Sequence, residues 1–178
     1  MNTYTQIKMN TLNIGLDVDG VLADFTRAWH AVYPDAPAIP DKYNYDPHMG
    51  KRFKAMKEAG TLDDFFLGLN PLIHPANIPF EPKGYVTARP VDTQITELWL
   101  KKNGFPMSPV ITVPWGTNKV EAMKKLGIEI FIDDFYGNFV ELNEGGITTY
   151  LYSAPWNQMH DVGDLRLNSL NDILLLQQ

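Results

Sequence analysis

Cysteine is absent from the chain, which excludes a disulfide framework and any thiolate metal site and fits a reducing compartment. Long apolar runs are absent too: no stretch approaches the roughly 20 residues of a membrane-spanning helix. Residues 1–11 lack the apolar segment of a secretory signal and read as a short polar start. Positive charge is scarce. Against 21 Asp and Glu stand 15 Lys and Arg, a net charge of −6, so there is no general electrostatic footprint for a nucleic-acid polymer. There is no internal repeat and no low-complexity tract. The expectation is a soluble, cytoplasmic protein whose 178 residues suffice for one domain with a real core and a small insertion.

What is present begins with "GLDVDGVLADF" (15–25), where two aspartates close a stretch otherwise fit for a core. Asp17 and Asp19 fall on the same side of an extended chain, because strand side chains alternate with period two. Gly20 then permits a sharp turn or a close backbone approach to a ligand. Two carboxylates held that near repel and raise each other's pKa unless a cation lies between them.

The spacing predicts a buried strand over "TLNIGLD" (11–17) and a helix over "ADFTRAWHAVY" (23–33), with Phe25, Ala28, Trp29 and Val32 on one face. Residues 34–48 are rich in proline and aromatics and predict an ordered but irregular segment. "GKRFKAMKEAG" and "TLDDFFLGL" predict short helices, the second opened by a capping box of Thr61 and Asp64. A short strand, "KGYVTARP" (83–90), ends on Thr87. Regular alternation follows: a helix closed by Gly104, the strand "PVITVP", a helix closed by Gly127, the strand "IEIFIDD", a helical turn in "GNFVELNEGG", the strand "ITTYLYS" and a final helix in "SLNDILLLQQ". Strands separated by helices imply a parallel sheet covered on its faces. Residues 34–82 break that rhythm and read as a small helical cap inserted after the first strand, with 12–33 and 83–178 forming the core.

Ligands of such sheets bind outside the carboxyl ends of the strands. Asp17 and Asp19, Thr87, Lys119 and the pair Asp133–Asp134 all meet that condition. Each has a plain structural explanation: a solvated edge or helix cap for the aspartates, strand propensity for threonine, a tolerated surface cation for the lysine. Lys119 is the most telling singly, since a cation in a helix's first turn opposes the macrodipole. Together they are specific. Two carboxylate pairs supply hard oxygen ligands suited to Mg²⁺. A hydroxyl, an ammonium and the exposed N–H groups of the Gly20 turn supply what phosphoryl oxygens need as charge develops on them.

With these residues in place, the chain resembles the haloacid dehalogenase-like (HAD) phosphatases. "DVDGV", Thr87 in "VTARP", Lys119 in "TNKVEAM" and "IDD" (132–134) stand in the order and spacing of that superfamily's four motifs. The resemblance implies a Rossmann-type, doubly wound α/β core with the cap. It further implies Asp17 as nucleophile and Asp19 as acid and then base. Thr87 and Lys119 would hold the phosphate. Asp17, the Asp19 carbonyl and one of Asp133 and Asp134 would hold Mg²⁺, with Asp134 favoured as the direct ligand and Asp133 close by. "DVDGVLADF", "FFLGLNPLIHPA" (65–76) and "APWN" (154–157) further resemble the 5'(3')-deoxyribonucleotidase family. Its members dephosphorylate nucleoside monophosphates and stack the base on cap aromatics. Phe25, Trp29, Tyr43 and Tyr45 are the stacking candidates, although a helical aromatic stripe is also what a core requires. The chain departs from that family at Ala88 and Arg89, where serine and proline are usual, and at "NIPFEPKG", which replaces a helix. Both changes bear on the substrate pocket. Arg89 is read as contacting a second anionic group or as a solvated loop residue. The rival expectations are a HAD phosphatase for another small phosphorylated metabolite and a non-catalytic phosphate-binding protein.

Overall fold

The computed structural model describes residues 12–36 and 46–177. Its frame is a six-stranded, all-parallel sheet in the order β3-β2-β1-β4-β5-β6. The strands are β1 (Ile14–Leu16), β2 (Gly84–Ala88), β3 (Val110–Val113), β4 (Ile130–Asp133), β5 (Thr148–Tyr152) and β6 (Arg166–Leu167). Helices α1 (Phe25–Val32), α2 (Met49–Glu58) and α3 (Leu62–Leu67) lie between β1 and β2. Helices α4 (Thr93–Lys102), α5 (Val120–Leu126) and α6 (Tyr136–Glu144) make the crossovers β2–β3, β3–β4 and β4–β5.

Parallel sheets are buried on both faces, and the strands show why these sequences are apolar nearly throughout. Along β2, Tyr85 packs into one core with Ile14, Leu16, Phe66 and Trp99, while Val86 turns to the other with Met123, Phe131 and Leu142. Successive residues thus serve opposite layers, and the sheet is doubly wound as expected. Gly104 and Gly127 adopt positive φ (75° and 66°) and end α4 and α5, a conformation that glycine enters without penalty. No helix among the described residues is long and apolar enough to cross a membrane.

The structure differs from the sequence reading in several local places. Val32 is 49% exposed. The buried stripe of α1 continues instead through Tyr33, whose ring meets that of Trp29 at 4.6 Å. The capping box at Thr61 does not form, because its hydroxyl donates back to the carbonyl of Met56 at the end of α2. "GNFVELNEGG" holds the nine-residue helix α6 rather than a single turn. Residues Leu170–Gln177 wind as 3₁₀ rather than α. The three-residue period sets Leu170 and Ile173, the buried pair, on one side. The two-residue β6 is too short to carry a periodicity in the sequence.

Candidate active site

In the order 3-2-1-4-5-6 the chain reverses direction across the sheet between β1 and β4, and the loops leaving those two strands frame a crevice. Backbone pairing sets Leu16 against Ile132, and the Asp17 amide donates to the carbonyl of Ile132 at 3.0 Å. Asp17 leaves β1 directly beside the end of β4, where Asp133 and Asp134 follow. Carboxylate oxygens of Asp17, Asp133 and Asp134 all lie within 4.8 Å of one another.

Lys119 caps the N-terminus of α5 and turns its ammonium into this group. Its Nζ donates to Asp17 Oδ2 at 2.7 Å and to Asp133 Oδ2 at 2.8 Å. Asp133 is the more fully engaged of the neighbouring pair. Its Oδ2 also accepts from Asn138 at 2.9 Å, and its Oδ1 from the Phe135 amide at 2.8 Å. Among the described residues the Asp134 side chain accepts one such bond, at 2.8 Å from the Trp156 indole to Oδ2. Asn157 donates to the carbonyls of Asp134 (2.8 Å) and Tyr152 (2.7 Å), so the "APWN" stretch fixes Asp134 from behind. Gly20, at φ 82°, lets the loop after β1 press against Asp134, where any side chain would collide with the carboxylate.

Burial drives the electrostatics. It raises the Asp17 carboxyl to about 7, with Asp133 adding to the rise and Lys119 opposing it. Burial, then Asp133 and Asp17, hold Asp134 well above the usual carboxylate range. Burial would lower the Lys119 ammonium, but Asp133 and Asp17 outweigh it, so the group stays protonated above the ordinary lysine range. With all three carboxylates ionised, the one ammonium would leave two negative charges without compensation. A hard divalent cation fits that donor set in charge and in ligand type, and offsets the burial and mutual repulsion that raise Asp17 and Asp134.

Over the cluster opens a cavity of about 610 Å³. Asp17, Asp19, Thr87, Ala88, Lys119 and Asp134 line it on the sheet side; Phe25, Phe53, Phe66 and Trp115 supply aromatic surface, and Asp46 and Lys51 polar surface. The Thr87 hydroxyl is buried and has no hydrogen-bond partner among the described residues. Phe25 serves two roles, since its ring also packs at 5.6 Å from Trp29 and 6.1 Å from Phe66 in the core. Trp29 does not reach the cavity; its indole donates to Asp46 Oδ2 at 3.2 Å. Tyr43 and Tyr45 lie outside the described residues.

Asp19's carboxylate lies outside the cluster of Asp17, Asp133 and Asp134 and is paired with Arg89, and the metal contact expected of Asp19 is through its main-chain carbonyl. One sequence expectation changes. Arg89 is neither solvated nor available to an anionic ligand, because it is 2% exposed and does not line the cavity. Asn138 and Trp156 were not singled out by the sequence. Asn138 has no motif signal; Trp156 belongs to the quoted "APWN".

No protein-family model matches the sequence. Among solved structures, the chain is similar to the hydrolase SP0104 of Streptococcus pneumoniae, a haloacid dehalogenase-like family protein. The TM-score is 0.62 with 11% identity, over 93% of this chain and 97% of that one. It is also similar to the L-2-haloacid dehalogenase PA0810, with TM-score 0.59 and 12% identity, over 93% of this chain and 98% of that one. The fold is the HAD-like α/β fold. In sequence, the chain is 34% identical over 88 residues to "Putative nucleotidase YqfW" of Bacillus subtilis (strain 168), a match that spans 48% of this chain. It covers 45% of that relative, less than half its length, and its name agrees with the nucleotidase resemblance of the motifs.

Proposed function

We propose that the chain is a Mg²⁺-dependent phosphomonoesterase, a 5'-nucleotidase that hydrolyses deoxyribo- or ribonucleoside monophosphates through an aspartyl-phosphate. The observation that carries this reading is the buried, unpartnered hydroxyl of Thr87 on the same cavity wall as Asp17 and Lys119. A buried donor without an acceptor costs about 1–3 kcal/mol, and a phosphoryl oxygen between these three groups is the acceptor that would satisfy it. The aromatic surface above favours a flat base over a sugar, and the nucleotidase name of the Bacillus relative points the same way.

Asp17 and Asp134, with the Asp19 main-chain carbonyl, would hold the Mg²⁺, and Asp133 would support them. When bound, the ion supplies positive charge that lets an anionic nucleophile and a phosphate dianion approach. Lys119, bridging Asp17 and Asp133, favours the ionised form of Asp17 and presents its remaining donor capacity to a phosphate oxygen. Asp17 attacks phosphorus; as the Oδ–P bond forms, the bond from phosphorus to the sugar oxygen breaks, and Asp19 gives that oxygen its proton. Asp19, now a carboxylate, takes a proton from water. The water oxygen then bonds to phosphorus and frees inorganic phosphate and Asp17. Phe53 and Phe66, from the stretch read as the cap, line the pocket and would help select the substrate.

The test is phosphate release with Mg²⁺ over a panel of nucleoside monophosphates and sugar phosphates, with Asp17→Asn as control. Release from nucleotides that vanishes in Asp17→Asn supports the reading. Release from sugar phosphates alone would move the substrate to another small phosphorylated metabolite, and no release from any ester would leave a phosphate-binding protein.

A further inference from the structure

Arg89 is a guanidinium in the core. Its side chain is wholly removed from solvent, stacked 5.0 Å above the Phe66 ring and 5.8 Å from that of Trp99. Its Nη1 lies 3.3 Å from the Thr96 hydroxyl on α4. The two remaining corners meet one carboxylate: Nε donates to Asp19 Oδ2 at 2.8 Å and Nη2 to Asp19 Oδ1 at 2.7 Å. Burying such a charge is costly, and apolar side chains of similar volume are often at least as stable. Stability alone therefore gives no reason for this residue. The other end of the pair does. Asp19 lines the cavity and keeps 21% of its side chain exposed.

We propose that Arg89 is a positioning residue for Asp19: it fixes the plane and location of that carboxylate, so that the acid meets the leaving-group oxygen in the right place. The inference rests on the assignment of Asp19 as acid and base made above. A forked guanidinium grips both oxygens in one plane, whereas a lysine ammonium would hold them as a point charge without orientation. The fork occupies one lone pair on each oxygen and leaves the other free. A proton in transit is carried on a free lone pair while Arg89 keeps its grip, so Asp19 need not swing away to react. The partners stacked around Arg89 come from α3 and α4, so the acid is tied to the packed body of the protein rather than to its own loop.

The experiment compares kcat/KM, which contains only the steps up to departure of the leaving group, on two esters. One is p-nitrophenyl phosphate, whose leaving group departs without a proton. The other is the alkyl monophosphate of the panel hydrolysed fastest by the unaltered protein, whose alkoxide needs one. General acid catalysis is worth about 10²–10⁴-fold. Asp19→Asn is expected to show that loss on the alkyl ester and little on the nitrophenyl ester. Arg89→Lys and Arg89→Met are expected to lose about tenfold or more on the alkyl ester alone, and Arg89→Met to cost almost nothing further in the Asp19→Asn background. General damage to the fold would lower both esters equally and would add to Asp19→Asn; either result overturns the inference. If Asp19→Asn is selective and the Arg89 variants are not, only the role of Arg89 falls. If Asp19→Asn depresses both esters alike, the acid assignment falls and takes this inference with it.

Discussion

Replacing Thr87 by valine separates binding from folding. The substitution exchanges a hydroxyl for a methyl and keeps the β-branch that suits β2. Thr87 is 1% exposed and its hydroxyl has no partner among the described residues, so the substitution breaks no hydrogen bond there. It sheds a buried donor whose penalty is about 1–3 kcal/mol. For a domain of this size each kcal/mol moves Tm by about 2–4 °C, so a gain of several degrees is the expected result. With substrate bound, the same hydroxyl would donate to a charged phosphoryl oxygen, a bond worth about 1.5–3 kcal/mol. At 1.36 kcal/mol per decade, its loss lowers kcat/KM by about 10- to 150-fold. Thermal melts and initial rates on one preparation measure both. A variant that is less stable by several degrees would mean that the hydroxyl has a partner within the fold. Unchanged kcat/KM would remove Thr87 from the phosphate site.

Asp17→Asn keeps the shape of the nucleophile but not its charge, so turnover should fall by orders of magnitude while the circular dichroism spectrum stays native; near-normal turnover would refute a covalent intermediate on Asp17. EDTA should abolish activity and Mg²⁺ restore it. Asp134→Asn should raise the Mg²⁺ concentration for half-maximal rate more than Asp133→Asn does, because Asp133 is already bound by Lys119, Asn138 and the Phe135 amide; equal, trivial effects would leave the pair without a metal role. In chelated protein, Asp17 binds its proton more tightly folded (about 7) than at its ordinary value of 3.8. Its contribution to stability is therefore present below about pH 4 and lost as pH rises through 7. The Tm of the unaltered protein should fall relative to Asp17→Asn across that window; parallel curves would show that Asp17 is not so perturbed.

The frame of this fold was legible because parallel strands announce themselves twice, as apolar runs and by the helices that must separate them. The strand ends Asp17, Thr87 and Asp133 were legible for the same reason: each is the point where an apolar run stops on a group that a core would reject. The reading failed where a side chain's surroundings come from far along the chain. Arg89 looks like a loop cation until Asp19, Phe66 and Trp99 close around it. Asn138 carries no local pattern, and the bond from Trp156 to Asp134 crosses from another loop. Thr61 and Val32 failed for a smaller reason, because a cap or a stripe drawn on one helix omits the helix next to it.

The strand order has a consequence for synthesis. β1 lies third of six across the sheet but is the first of its strands to be made. Gly15 pairs with Gly84 on one side and with Phe131 on the other. At about 5–20 residues per second, on the order of ten seconds separates the making of β1 from that of its second neighbour. Until then Ile14 and Leu16 belong to a central strand with an open edge, the state that pairs most readily with another chain. A message truncated before residue 130 therefore yields a polypeptide that has Asp17 and Thr87 but retains that open edge, with no β4 to close it.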